Sequence, residues 1–287
     1  CTLIEVGDSL DSIFYGNVAI GQYVAKRAGI GINSGNLRAL GSKVRNGEVV
    51  HTGVIPFFKM FQSTLHSCSQ GGIRKGSATL YFPWWHKEIE DVLVLKNNKG
   101  TDDNRVRHMD YGIQFEKLFY SRFISNGDIS LFSPSDVPGL YDVFGLPNFE
   151  EIYLKYELDK KIPRKTIKAR DLMNSFAQER IGTGRMYVMN IDNANNNSPF
   201  INRLKMSNLC VEIILPTDPI ESIYDVDNKK ETEHLSNGEI ALCTLAAFNL
   251  GNIKSWNELY KVAEYIVRIL EYVIENQDYP INAAKKM

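Results

Sequence analysis

The sequence predicts an α/β fold whose strands are mostly parallel. Short apolar runs alternate along the chain with stretches in which apolar residues recur at helical spacing. Strands separated by helices in this way favour parallel pairing, because each helical crossover returns the chain to the same end of the sheet. Hydrophobic residues make up 44% of the 287 residues, enough for a sizeable core, and the net charge of −1 argues against a general nucleic-acid-binding surface.

The helices and strands can be placed in order along one domain. Asp8 and Ser9 can cap the N-terminus of a first helix that extends to about Ala28. Pro56 suits the first turn of a second helix ending near Ser67, because the N–H that proline lacks has no helical partner there. Further helices are predicted over 86–95, 166–181 and 255–275, strands over 30–32, 78–83, 108–115, 129–132, 186–191 and 240–245, a polar loop over 192–198 and an exposed charged segment over 225–239.

Polar side chains alternate with apolar ones at Asn208, Cys210 and Glu212. In an extended segment residues two apart share a face, so a carboxamide, a thiol and a carboxylate are expected to converge on one ligand. A thiol between a hydrogen-bonding amide and a potential base is a reactive group. The residues alone also permit a buried strand cysteine with two polar neighbours, since free cysteine is among the most buried residue types.

The cysteine content indicates free rather than cross-linked thiols. The chain has four cysteines, with no CxxC pair and no zinc-ligand spacing, so no metal site is expected. A chain of this length builds a core without disulfides. It contains neither a membrane-spanning apolar run nor a signal-peptide pattern, which predicts a cytoplasmic protein. The four residues are Cys1, Cys68, Cys210 and Cys243.

Several longer motifs, spread over the whole chain, carry a resemblance to one family. They are Gly7-Asp8-Ser9-Leu10-Asp11-Ser12, Arg27-Ala28-Gly29-Ile30-Gly31-Ile32-Asn33, Cys68-Ser69-Gln70-Gly71-Gly72, Leu95-Lys96-Asn97-Asn98, Asn104-Arg105-Val106-Arg107-His108-Met109-Asp110-Tyr111-Gly112, Val137-Pro138-Gly139-Leu140-Tyr141, Ser207-Asn208-Leu209-Cys210, Gly238-Glu239-Ile240-Ala241-Leu242-Cys243-Thr244-Leu245 and Gln277-Asp278-Tyr279-Pro280. With these motifs the chain resembles the catalytic large (alpha) subunit of class I ribonucleoside-diphosphate reductase.

The resemblance implies a ten-stranded α/β barrel built from two five-stranded halves. Residues 1–287 would form part of the catalytic barrel domain, namely the first half-barrel, the finger loop through its centre and the start of the second half. Neither the N-terminal activity domain nor the C-terminal tail of such a subunit is expected within this chain. The resemblance therefore implies a fragment or a piece of a split subunit.

The resemblance also gives the thiols a reaction, the reduction of ribonucleoside diphosphates to 2′-deoxyribonucleoside diphosphates for DNA synthesis. Cys210 would form the thiyl radical that removes the 3′ hydrogen. Glu212 would take the proton of the 3′ hydroxyl, and Asn208 would hold a sugar hydroxyl. Cys1 and Cys243 would face each other on neighbouring strands and supply two electrons by forming a disulfide. From its residues alone, Cys243 would read as a buried strand cysteine.

Two further groups of residues correspond to nucleotide-binding positions of the family. Gly29 and Arg74 would contact the substrate, together with Asn208 and Glu212. Asp8 and Arg38 would bind the allosteric effector, through hydrogen bonds to ribose or base and through a clamp on phosphate. Read without the family, they are a helix cap and a surface cation. The glycine-rich segment 69–76 matches a flexible specificity loop.

Cofactors and partners also follow from the resemblance. No metal or other cofactor would be bound by this chain, because a metal-containing small subunit supplies the radical. A dithiol protein of the thioredoxin or glutaredoxin type would be the external reductant. We also expect a homodimer formed through the N-terminal helices, the remaining part of the large subunit, deoxynucleotide or ATP effectors, and no membrane association.

Three alternatives remain open at this point. The first is a nucleotide-binding and dimerisation module without catalysis, completed only by a companion chain. An adenosylcobalamin-dependent reductase would share the barrel and the finger-loop cysteine but need no small subunit. Cys1 at the start of the chain is also compatible with an intein junction or with a natural split.

Overall fold

The computed structural model describes residues 1–68, 75–221 and 238–285. Its strands confirm the α/β class and include a first strand that the sequence did not predict. In chain order the strands are β1 (Thr2–Glu5), β2 (Ile30–Asn33), β3 (Lys43–Val44), β4 (Val49–Val50), β5 (Ala78–Pro83), β6 (Asp110–Phe115), β7 (Asp128–Leu131), β8 (Lys165–Lys168), β9 (Met186–Asn190) and β10 (Ala241–Leu242).

One six-stranded sheet organises the described part of the chain. Its strand order is β10-β1-β2-β5-β6-β9, and every pair is parallel except β10 with β1, which is antiparallel. Strands β1, β2, β5 and β6 are buried along their whole length, as expected for parallel strands covered on both faces. The described strands form an open sheet, and two short antiparallel pairs, β3–β4 and β7–β8, lie outside it.

The helices that follow the strands supply the crossovers of this sheet. Between the strands and after β10 the chain forms α1 (Leu10–Ala25), α2 (Ile55–Ser67), α3 (Ile89–Leu93), α4 (Lys117–Ile124), α5 (Leu140–Val143), α6 (Phe149–Leu158), α7 (Ala169–Thr183), α8 (Ile191–Asn196) and α9 (Trp256–Asn276).

Capping chemistry explains where the predicted helices begin. The side chain of Ser9, rather than that of Asp8, accepts the N–H of Ser12 at 3.1 Å and so caps α1. Pro56 occupies the first turn of α2. Ser255 caps α9 through the N–H of Glu258 at 3.2 Å. The predicted start and type of these three helices are therefore confirmed.

Several predicted elements differ in the structure. The predicted loop 192–198 is mostly helix α8, and the predicted helix 86–95 is a single α-helical turn over Ile89–Leu93 followed by a 3₁₀ turn. Residues Lys165–Lys168 form strand β8 against β7, so helix α7 starts later than predicted. Most of the segment 225–239 lies outside the described residues. No helix in the described ranges has the length and apolar character needed to cross a membrane.

The two faces of the sheet are covered by different structures. On one face, apolar side chains such as Ile4, Ile32 and Leu80 belong to the main hydrophobic core, and α1 packs against β1 and β2. The opposite face is called the inner face. Alternate residues of each strand point to this face, and the strand register places them beside alternate residues of the neighbouring strands. The segment 205–213 lies on that inner face. This segment includes Asn208, Cys210 and Glu212.

Candidate active site

The segment 205–213 is held on the inner face by hydrogen bonds from strand side chains to its carbonyl groups. Asn33 and Gln114 donate to the carbonyl of Lys205 at 3.1 and 2.6 Å. Thr79 donates to the carbonyl of Leu209 at 2.6 Å. The Tyr81 hydroxyl donates to the carbonyl of Asn208. The strands thereby satisfy carbonyl groups in a segment without regular secondary structure.

Two glycines on β2 and immediately before it let this segment approach the sheet. A β-carbon on Gly31 would overlap the carbonyl oxygen of Ser207 and lie 3.0 Å from the Asn208 Cα. A β-carbon on Gly29 would lie 2.6 Å from a methyl group of Leu209 and 3.6 Å from the Cys1 sulfur. Gly29 therefore lies between the turn that bears Cys210 and the first cysteine.

The prediction of an extended 208–212 segment is wrong, because the chain turns there. The side-chain oxygen of Asn208 accepts hydrogen bonds from the backbone N–H groups of Glu212 and Ile213 at 3.1 and 3.2 Å. The backbone N–H of Asn208 donates to the Ile213 carbonyl at 3.1 Å. Val211 has a φ of +65°, a conformation that strand residues do not adopt. An asparagine side chain that bonds to nearby backbone groups favours such a turn.

The turn still brings the predicted carboxamide and carboxylate together. The side-chain amide of Asn208 donates to Glu212 Oε1 at 2.6 Å. Asn208 is fully buried, whereas Cys210 is exposed at the tip of the turn. Contact between the amide and the carboxylate therefore arises from hydrogen bonding across a turn, and not from a shared strand face.

The structure also brings Cys1 and Cys243 opposite each other across the antiparallel β1–β10 pair. The N–H of Cys243 donates to the Cys1 carbonyl at 2.9 Å, and the Cys1 nitrogen donates to the Cys243 carbonyl at 3.1 Å. Residues that exchange both bonds have Cα atoms about 5.5 Å apart, within the span of a disulfide. Both thiols are free and partly buried.

Electrostatics connects Cys210 with this pair. Although Cys210 is exposed, partial desolvation by its surroundings raises the pKa of its thiol, and the charges of Glu212 and Asp110 raise it further. Burial likewise raises the pKa of Cys243, with a contribution from Glu212. The charge of Glu212 therefore acts on both thiols.

Asp8 and Arg38 form a close ion pair at the end of β1. Two nitrogens of the Arg38 guanidinium lie 2.8 Å from Asp8 Oδ2. The backbone N–H of Arg38 donates to Asp8 Oδ1 at 2.9 Å. The guanidinium also donates to the Lys43 carbonyl at 3.0 Å. The helix-cap interpretation of Asp8 is excluded because Ser9 caps α1. The charge of Asp8 also acts on His51, whose pKa is lowered mainly by burial.

Two other residues considered in the sequence lie elsewhere or outside the description. Arg74, Gly71 and Gly72 lie outside the described residues, whereas Gly76, the last residue of that loop, is described and buried. Cys68 follows α2, donates its N–H to Thr64, and packs against the main core near Gly21. It therefore occupies a packing position, as expected for a cysteine without an assigned reaction.

Sequence reasoning missed the residues that hold the 205–213 segment. Thr79, Tyr81 and Gln114 are polar residues within strands that are otherwise strongly apolar, which was the available signal. Lys205 and the buried Glu5 form a partly buried ion pair at 3.0 Å that no local motif indicates, because 200 residues separate them.

Comparison with known proteins places this arrangement in a family. The family model for the ribonucleotide reductase barrel domain matches residues 1–287. The alpha subunit of ribonucleoside-diphosphate reductase from Haemophilus influenzae is 54% identical over 291 residues, covering 100% of this chain and 37% of that protein. The corresponding subunit of enterobacteria phage T4 is 48% identical over the whole chain and 37% of its own length. Subunit alpha of ribonucleoside-diphosphate reductase 1 from Escherichia coli is 56% identical over 77% of this chain and 30% of its own length.

These matches define both the family and the part of it that is present. The chain spans a little over a third of the length of the relatives that it matches throughout. The match to the family model has no gap at either end of the chain. The chain belongs to the ribonucleotide reductase family, to the part of the large subunit that forms its barrel domain.

Proposed function

We propose that this chain is the part of a ribonucleoside-diphosphate reductase alpha subunit whose thiols act on the ribose. The observation that carries the proposal is the juxtaposition of three cysteine-bearing segments. Cys1 and Cys243 pair across β1 and β10, and Gly29 separates the Cys1 sulfur from Leu209 beside Cys210. The names of the relatives support the reaction.

In the proposed reaction Cys210 acts as a hydrogen-atom carrier. Its sulfur radical takes the 3′ hydrogen of the sugar, and the same S–H bond later returns a hydrogen to carbon 3′. Glu212 accepts the proton of the 3′ hydroxyl as the 2′ hydroxyl leaves as water. One N–H of the Asn208 amide orients Glu212 at 2.6 Å, and an amide has a second donor available for a sugar hydroxyl.

The two electrons for the reaction come from Cys1 and Cys243. Their S–H bonds break and a sulfur–sulfur bond forms. In the net balance one of the two hydrogens takes the place of the hydroxyl on carbon 2′, and the other leaves with that hydroxyl as water. The sum is ribonucleotide plus dithiol giving deoxyribonucleotide, disulfide and water. An external dithiol protein of the thioredoxin or glutaredoxin type then reduces the disulfide by exchange. A metal-containing small subunit supplies the radical.

Nucleotides and a second copy complete the proposed enzyme. Gly29 admits the substrate close to the backbone, Arg74 contacts it, and Asp8 with Arg38 binds a deoxynucleotide or ATP effector. Helix α1 presents an exposed apolar strip, which supports a homodimer formed through the N-terminal helices. The strip consists of Leu10, Phe14 and Val18.

We further propose that the open sheet is the first half of a ten-stranded barrel and that residues 1–287 are one partial barrel domain. Helix α9 supports this, because its many exposed apolar residues include Trp256, Tyr260 and Ile269. The remaining part of the subunit would cover this helix. A non-catalytic module or a cobalamin-dependent enzyme gains no support from relatives named ribonucleoside-diphosphate reductase.

The redox assignment is tested by replacing Cys243 with serine in the intact alpha subunit. With the small subunit and a dithiol reductant, Cys243→Ser is expected to lower steady-state formation of deoxynucleotide by about 10³-fold or more, as for removal of an essential catalytic group. The matched control is Cys68→Ser, which should keep turnover within about twofold because Cys68 packs beside α1 near Gly21 and has no proposed role in the reaction. Full turnover by Cys243→Ser would refute the assignment.

A further inference from the structure

The ammonium group of Lys205 joins three parts of the chain. Its side chain is 16% exposed, and Nζ donates to Glu5 Oε2 at 3.0 Å, to the Thr217 carbonyl at 3.1 Å and to Asp218 Oδ1 at 2.9 Å. A lysine ammonium has three N–H donors, so this set uses all of them. Glu5 ends β1, whereas Thr217 and Asp218 follow the Cys210 turn.

The backbone of Lys205 is fixed as well. Its carbonyl accepts from Asn33 on β2 and from Gln114 on β6, at 3.1 and 2.6 Å. The backbone carbonyl and the side-chain ammonium of Lys205 are therefore both hydrogen-bonded to residues on the inner face of the sheet. The segment that leads to Cys210 starts from a point with little freedom to slide along the strands.

The acidic partner is buried and depends on this cation. The Glu5 side chain is 3% exposed, and burial raises its pKa, whereas the charges of Lys205 and Arg203 lower it. Thr217 donates to Glu5 Oε2 at 3.0 Å. Removing one partner of a buried pair leaves an uncompensated charge, so the pair responds strongly to substitution.

Asp218 extends the same cluster to the third cysteine-bearing segment. Its N–H donates to the Glu239 carbonyl at 3.1 Å, and the Glu239 N–H donates back at 2.9 Å. Cys243 lies four residues after Glu239, Cys1 four residues before Glu5, and Cys210 five residues after Lys205. Cys1 and Cys210 are therefore four and five residues from members of the cluster Glu5–Lys205–Asp218, and Cys243 is four residues from Glu239, which pairs with Asp218.

We propose that Lys205 is a positioning residue that sets the register of the Cys210 turn against the Cys1–Cys243 pair. It contacts neither substrate nor reacting atoms and acts through the backbone that it anchors. The inference rests on the proposed reductase function. A displacement of about 1 Å at a reacting group can cost on the order of 10²-fold in rate, so loss of this anchor should appear in turnover.

The test uses the intact alpha subunit with its small subunit and reductant. Lys205→Met keeps an unbranched side chain that is one heavy atom shorter and removes the charge. We expect kcat to fall about 10- to 100-fold, while KM and the affinity for the effector change by less than about twofold. Lys165→Met is the matched control, since Lys165 pairs with Glu90 at the exposed surface and should leave kcat unchanged.

A double variant separates positioning from stability. Lys205→Met/Glu5→Gln removes the uncompensated buried carboxylate, so the melting temperature should recover toward that of the unmodified protein while kcat stays low. A kcat that follows the melting temperature in both variants, or a kcat within twofold of normal in Lys205→Met, would overturn the proposal.

Cys210→Ala, measured beside these variants, tests the function on which the inference rests. An inactive Cys210→Ala together with a fully active Lys205→Met overturns only the positioning role. An active Cys210→Ala overturns the proposed function itself.

Discussion

Replacing Cys210 by alanine in the intact reductase is expected to abolish deoxynucleotide formation, with a loss of about 10⁴-fold or more. The methyl group of alanine has no S–H bond to exchange with carbon 3′, and no other thiol lies on the same turn. The exposed position of Cys210 at the tip of the turn means that the substitution removes little packing. Folding should therefore be retained.

Two measurements distinguish lost chemistry from lost structure in this variant. Effector affinity and melting temperature should match those of the unmodified enzyme, because Asp8, Arg38 and the core are untouched. Cys68→Ala provides the control for removal of a thiol from this chain, and it should remain active. Turnover by Cys210→Ala above one-hundredth of the normal rate would exclude Cys210 as the hydrogen-atom carrier.

Introducing a methyl group at Gly31 is the second substitution with a large expected effect. Gly31→Ala forces the new carbon onto the Ser207 carbonyl oxygen and to within 3.0 Å of the Asn208 Cα, and both obstacles are backbone. Overpacking of this kind costs about 1–3 kcal/mol of the free energy of unfolding, or more where backbone must move. We expect a lower melting temperature and a fall in kcat of about 10²-fold, because the Cys210 turn is displaced.

Gly182→Ala is the matched control for Gly31→Ala. Gly182 lies in α7, and a β-carbon there meets nothing within 4 Å. Alanine is favoured over glycine inside a helix by about 1 kcal/mol, so this variant should melt no lower than the unmodified protein and keep its activity. Equal melting temperatures and rates for the two variants would show that the segment 205–213 does not lie against β2 as described.

The fold class could be predicted because short apolar runs, typical of buried strands, alternate along the chain with apolar residues at helical spacing. Strand β5 occurs over the predicted residues Ala78–Pro83, and Ser9 and Ser255 begin helices as their side-chain chemistry indicates. Strand β1 was missed because it has only four residues at the start of the chain. The sequence pattern predicts helix over most of β8. These residues form a strand instead because they pair with β7, a contact that the local sequence does not reveal.

The candidate site was less accessible to local rules. Alternation at 208–212 suggested a strand, but the Asn208 side chain bonds to the backbone four and five residues later and closes a turn. Cys1 and Cys243 are 242 residues apart, so spacing alone gives no reason to pair them. The resemblance implies their pairing, and the two backbone hydrogen bonds between Cys1 and Cys243 show that the two residues lie opposite each other, whereas the redox role stays a proposal.

The most direct test of the account is to map the disulfide formed in one turnover. The intact, pre-reduced alpha subunit is mixed with small subunit, substrate and effector in the absence of external dithiol, and the thiols are then alkylated and identified by mass spectrometry. We expect the deoxynucleotide formed to be matched by a Cys1–Cys243 disulfide, with Cys68 and Cys210 alkylated. If product forms and Cys1 and Cys243 are both recovered as alkylated, unoxidised thiols, the proposed redox role of this pair is wrong.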